Sequence, residues 1–326
     1  MGQLRFGVLD AVNVRFAVSP LWETVGGLRA LADPGRYVVH LPWIREALTL
    51  PQEQLPGAPL AALRLLARTA GRPSHFLTPP ATCPLSEIEE ELAVVLATPP
   101  ELVREAVRGV RPRQGRPDPF LHRLAEEPER VLPELAEAVL GWWRVAVAPS
   151  WPRIRALLEA DIAHRTRRLA EDGIQQVFGD LHPTLRWRDA QLLSPDWPAA
   201  GPDLDGCGIT LVPSAFAHQC HLLTGHRAVA PAVVYPARGV GTLWQRRGAA
   251  GPALARLLGR SRAELLAGTS SPATTTQLAA RTGLTPGAVS QHLAVLRDSG
   301  LVTSHRHRRE VHYTVSDLGT ALLTRV

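Results

Sequence analysis

The sequence predicts an α+β chain: a mostly helical N-terminal region with a small β-sheet subdomain, then a compact unit of helices and a hairpin. Three observations predict it. Apolar residues recur at helical spacing through much of the first 182 residues. Past His182 the texture changes to short apolar or alternating runs cut by Pro and Gly. In the last 76 residues two short helical patterns, a glycine turn and a hairpin follow one another in order.

Composition sets the bounds. At 326 residues the chain is long enough for two domains. With 45% hydrophobic and 20% charged residues it is globular, which excludes a disordered chain. Mean hydropathy is −0.02, and no apolar run is long enough to span a bilayer. The opening MGQLRFGVLD carries Asp10 and no apolar core, so no secretory leader is expected. Cys83, Cys207 and Cys220 follow no framework spacing and read as free thiols in a reducing cytoplasm.

Taken in order, Leu4–Phe6 predicts a short strand. SPLWETVGGLRAL predicts a helix with Ser19 as N-cap and Pro20 at its first position. RYVVHLPWIREALTL and APLAALRLLART continue as helices, the first interrupted by Pro42. In LSEIEEELAVVLAT, Ser86 and Glu89 have capping-box spacing, and Glu87–Glu91 read as a solvated helix face. LAEEPERVLPELAEAVLGWWRVAV and WPRIRALLEADIAHRTRRLAEDGIQQVFGDL are long helical patterns. LRWRDAQLLS, GITLVPSAF and AVAPAVVYPA read as strands of a small sheet, with a subdomain change near 182. RRGAAGP is the expected linker, which divides the chain into 1–250 and 251–326.

In the last unit Ser261 and Glu264 have capping-box spacing, and Gly268 ends that helix. Thr275 or Thr276 caps the helix QLAART. Gly283 supplies a turn, and Thr285 caps a second helix with Pro286 at its first position. On that helix Val289, Leu293 and Leu296 form a buried stripe. Gly287, Ala288, Ser290 and Gln291 put small and hydrogen-bonding side chains elsewhere on it. Such a helix can approach a major groove, and Gln can pair bidentately with adenine. LVTSHRHRREVHYTV then predicts two strands with a cationic tip, His305–Arg309, with Val311, Tyr313 and Val315 packed on the helices. The tip is placed to meet phosphate or enter a minor groove.

The charge agrees with that placement. All 36 cationic residues are arginine, and the chain carries a net charge of +6. From Gly251 onward nine arginines oppose four carboxylates, so nearly all the excess lies there. A polyanionic partner is expected.

At these residues the chain resembles the ArsR/SmtB family of winged-helix repressors, through LLGRSRAELLAG, TTTQLAARTGLTPGAVSQHLAVLRDSGLV and REVHYTVSDLGTALL. The preceding 250 residues resemble an uncharacterised domain attached to some such regulators, through RFAVSPLWETVGGLRAL, HLPWIREA and VPSAF…VYPARGVGTLW. The resemblance implies a homodimer on a two-fold operator in double-stranded DNA. Ser290, Gln291 and His292 would lie in the DNA-facing helix, Arg306, Arg308 and Arg309 in the wing. With Thr285 and Gly287 these are the expected DNA-binding residues. The departures are equally specific. Metal-sensing members often carry a Cys-x-Cys pair in the helix before the reading helix, but Thr275–Thr282 has no cysteine. SDLGTALLTRV offers only Asp317 where another family site uses His and carboxylates.

Other constellations carry less. HQCHLLTGH holds His218, Cys220, His221 and His226, all with metal-ligand chemistry, but in no standard zinc spacing. The tryptophans at 142 and 143 suit a core, or a pocket for an effector. RGVGTLW lacks the rest of a dinucleotide fingerprint, and no GxSxG, P-loop or HExxH motif occurs. The sequence therefore predicts a cytoplasmic, homodimeric, non-enzymatic transcription repressor. It has no cofactor, catalytic residue, metal site or membrane contact, and takes its signal, such as a small-molecule effector, through the N-terminal region. The alternative is an enzyme or protein-interaction module with an appended winged-helix domain.

Overall fold

A computed structural model describes residues 2–50, 57–67, 76–81, 85–110, 118–197, 201, 203–224, 230–244, 252–270, 272–307 and 310–325. The chain forms two compact units, Met1–Trp244 and Gln245–Val326.

The first unit opens with β1 (Gly2–Arg5), α1 (Val8–Val12) and β2 (Val14–Phe16). Then come α2 (Pro20–Ala32), α3 (Leu41–Leu48), α4 (Gly57–Ala67), α5 (Ile88–Leu96), α6 (Pro100–Arg108), α7 (Pro119–Glu126) and α8 (Pro128–Trp142). A π turn and a 3-10 turn carry the chain into α9 (Trp151–Asp172) and α10 (Ile174–Gly179). It returns as β3 (Arg186–Arg188), β4 (Gln191–Ser194), β5 (Ile209–Ser214), β6 (His221–Leu223) and β7 (Ala232–Pro236).

Two sheets result. One has the order β2-β5-β7-β6, with β2, β5 and β7 parallel and β6 antiparallel to β7. The other is antiparallel, β1-β4-β3. Both take a strand from the first sixteen residues, so the change of texture at His182 is the chain coming back to strands it began. Every residue of β5 is buried, as expected of a parallel strand covered on both faces.

The helical core is centred on Leu63, Leu66, Val103, Leu124, Leu135, Val139 and Trp142. The sheet has its own cluster around Leu4, Phe178, Ile209, Leu211, Val233 and Tyr235. A buried ion pair within α9, Arg165 with Asp161 at 3.0 Å, faces β7. Tyr235 donates its hydroxyl to the same carboxylate (2.8 Å), and the Arg238 N–H adds a further bond (3.1 Å), so the burial is matched by partners.

Ser19 caps α2 as expected, its Oγ accepting from the Trp22 N–H at 3.0 Å. Three local expectations are corrected. Pro42 does not interrupt a helix; it lies in the first turn of α3, where a missing N–H is harmless. The Ser86–Glu89 pairing shifts by one residue: Glu87 is the N-cap of α5 and donates its N–H to Glu90 at 3.2 Å. The acidic run is not all solvated. Glu91 is buried and accepts the N–H of Leu21 at 2.7 Å, satisfying a donor in the first turn of α2. Burial pushes its carboxyl up to about 7.

The second unit contains α11 (Pro252–Leu258), α12 (Arg260–Gly268), β8 (Ala273–Thr274), α13 (Thr275–Thr282) and α14 (Pro286–Asp298). It closes with β9 (Val302–His307), β10 (Glu310–Val315) and α15 (Asp317–Arg325). Its core joins Leu254, Leu265, Leu266, Leu278, Val289, Leu293, Leu296 and Val302. The sheet order is β8-β10-β9, so a two-residue strand that the sequence did not signal pairs with the hairpin. The fold class is α+β with a C-terminal winged helix. Among the described residues no helix is long and apolar enough to cross a membrane.

Candidate nucleic-acid interface

The interface is built on α13, α14 and the β9–β10 hairpin. Each helix begins at a defined cap. Thr274, one residue before the expected position, caps α13. Its Oγ1 accepts from the Gln277 N–H (3.3 Å), and its own N–H donates to Gln277 Oε1 (2.9 Å). The cap falls there because Thr274 is still extended, ending β8. For α12 the expected Ser261–Glu264 box is absent. Gly259 is the N-cap, and Glu264 instead accepts from Arg260 Nε at 3.2 Å.

Between α13 and α14, Gly283 takes φ 72°, a left-handed turn that other residues adopt at a cost. Thr285 then caps α14, its Oγ1 accepting from the Ala288 N–H at 3.3 Å. Thr285→Ala is expected to cost about 1 kcal/mol of stability in the second unit, read by chemical denaturation followed through far-UV circular dichroism. No change would mean that the cap contributes nothing there.

Val289, Leu293 and Leu296 are buried, so the stripe read from the sequence anchors α14 in the core. That leaves Thr285, Gly287, Ser290 and Gln291 exposed. Gly287 and Gln291 stand one turn apart, on the same side of the helix. A Cβ placed at Gly287 would meet no atom within 4 Å, so nothing inside the fold requires glycine there. His292 is only half exposed, next to the buried stripe. Arg281, near the end of α13, is exposed and forms no ion pair among the described residues. Arg297 is held by Asp298 at 3.3 Å.

The hairpin differs from its expected form. Pairing continues to His307 opposite Glu310, so His305, Arg306 and His307 belong to β9 and not to the tip. Each finds a facing residue on β10, which is why the strand runs on. Arg308 and Arg309 lie outside the described residues. Tyr313 and Val315 pack against the core as expected, whereas Val311 is 37% exposed.

The histidine run of the first unit, read from the sequence as metal-ligand chemistry in no standard zinc spacing, is divided between different surroundings. Among the described residues no group of three or more metal-ligating side chains converges. Cys220 is buried in the sheet cluster with Leu211 and Val233, and burial raises its thiol pKa. His221, the next residue, lies against Trp22 at 5.3 Å between ring centroids. Alternation along the chain thus parts the thiol from the imidazole. His226 lies outside the described residues.

A short helix, a left-handed glycine turn, a second helix with an exposed small-residue face and a flanking hairpin define a winged helix-turn-helix, the DNA-binding class of regulator. Residues 264–304 match the family model for bacterial regulatory proteins of the arsR family. Residues 81–241 match a family of unknown function, DUF5937. No curated protein and no solved structure matches the chain. The chain thus carries an ArsR-family DNA-binding domain preceded by a DUF5937 domain, as its sequence suggested.

Proposed function

We propose that the chain is a homodimeric, sequence-specific transcription repressor of the cytoplasm, with α14 as its reading helix. The division of labour is 1–250 for sensing or oligomerisation and 251–326 for DNA. The carrying observation is the face of α14 opposite its anchor, where Gly287, Ser290 and Gln291 stand exposed beside the cap Thr285. Gly287 lets backbone approach, Ser290 and Gln291 bond base edges, and His292 lies at the margin. Arg306, Arg308 and Arg309 meet phosphate from the hairpin.

Dimerisation is supported by the two terminal helices of the unit. Leu257 on α11 is 65% exposed and Leu318 on α15 is 61% exposed, apolar surface that a second copy would cover.

Selection of bound sequences from random duplex DNA by the full-length protein tests the reading. A pseudo-palindrome is expected, with raised transcription from a promoter carrying it when the gene is deleted. Recovery of no preferred sequence at physiological salt would defeat it. Gln291→Ala is expected to relax preference at one base position by about tenfold while sparing the others, measured across single-base operator variants. Uniform weakening at every variant would remove Gln291 from base readout.

A further inference from the structure

The first unit holds a cluster of polar groups whose hydrogen-bonding capacity is left over. Tyr37, His218, His221 and Trp22 form a chain of rings, with centroid separations of 5.3, 6.4 and 5.3 Å in turn. Both ring nitrogens of His218 are shut off from solvent and have no hydrogen-bond partner among the described residues. The same holds for Trp22 Nε1. His40, tilted against the same tyrosine at 6.2 Å, is the internal contrast. It accepts from Trp244 Nε1 at 2.8 Å and bonds the backbone of Ala215, so it is a satisfied core histidine. Buried polar groups are nearly always paired, and two orphans that both pack on His221 call for a missing partner.

The charge around the cluster says what that partner is. Arg29 lies two turns after Trp22 on α2, on the same side of the helix, and is half-buried. Arg36 lies beside Tyr37 and is exposed. Neither forms an ion pair among the described residues. Burial first, then the guanidiniums of Arg36 and Arg29, hold the His218 imidazole down at about 4. Asp33 acts on it in the opposite sense, and His182 in the same sense as the arginines. A neutral imidazole offers one donor and one acceptor. A metal dication is disfavoured by the two guanidiniums and by the turning away of Cys220.

We propose that Trp22, Arg29, Arg36, Tyr37, His218 and His221 form a binding site for a small organic anion, one carrying a carboxylate or phosphoryl group. The guanidiniums neutralise the anion, while Trp22 Nε1–H and a ring N–H of His218 donate hydrogen bonds to it. The site belongs to the first unit alone and stands without the regulator reading. Its use as the signal of that regulator rests on it.

The experiment titrates full-length protein with sodium phosphate and with sodium benzoate, at constant ionic strength kept with sodium chloride. Tryptophan fluorescence is the readout, since Trp22 lies in the site. At least one probe is expected to saturate, and Arg36→Gln and His218→Ala are each expected to weaken it about tenfold. Arg36 is exposed, so its variant folds whether or not the site exists. The proposal is overturned if neither probe exceeds the chloride response, or if both variants bind as the unaltered protein does. Operator binding by the same preparation reports separately on the second unit, so failure of one reading is not failure of the other.

Discussion

Glu23→Gln is expected to keep its stability between pH 6.5 and 8, where the unaltered protein loses about 2 kcal/mol. Glu23 is fully buried on α2 and accepts the Ala215 N–H through both oxygens, at 3.1 and 3.2 Å. Burial raises its carboxyl from 4.5 to about 8, against the lowering effect of Ser214, Ala215 and Phe216. Below pH 4.5 the folded and unfolded chains both hold the proton. Above it only the folded chain does, so rising pH favours unfolding until about pH 8, where both are ionised. Over the full window the loss is about 5 kcal/mol. Glu91 acts in the same direction, up to about pH 7. His40, His218 and His221 act oppositely. Burial lowers them to about 4, 4 and 3, so their contribution is lost as pH falls below 6.5.

The two sets of groups place the stability maximum of the first unit near pH 6.5. On its alkaline side Glu23 is the dominant titrating group among those named. Glutamine keeps the bond to Ala215 and has no proton to lose. All eight tryptophans lie within Met1–Trp244, so their fluorescence during urea unfolding reports the first unit alone. Equal alkaline losses in the two proteins would place the bound proton on another group.

The second unit was legible because its determinants are close together in the chain. Thr285, Pro286 and the Val289–Leu293–Leu296 stripe specify α14 within a dozen residues, and Gly283 needs only its neighbours to make the turn. Where a determinant was too short or too distant, the sequence reading failed. β8 has two residues, below the length at which alternation means anything. β2 pairs with Ile209–Leu211, almost the whole first unit away, and neither run names the other. Glu91 stands in an acidic run that reads as solvated, yet its partner is an N–H on another helix. The histidine run was legible as chemistry but not as a neighbourhood. The strand that separates Cys220 from His221, and the arginines that arrive from α2 and the turn after it, are visible only once folded.

Replacing Arg306, Arg308 and Arg309 together by alanine is expected to flatten the salt dependence of operator binding by about five units of log–log slope, since a dimer brings these three arginines from each copy. Each phosphate contact releases roughly one condensed counterion, so six contacts at physiological salt amount to roughly ten-thousandfold in affinity. The effect should be the same on every duplex, since phosphate carries no base identity, and the ranking of operator variants should survive. That pattern is the converse of the one expected for Gln291→Ala, which should disturb the ranking and leave the slope alone. Affinities measured at four salt concentrations on the operator and on a scrambled duplex separate them. An unchanged slope in the triple variant would take the hairpin off the phosphates. The burden of charge would then fall on Arg281 of α13, which is exposed and forms no ion pair among the described residues.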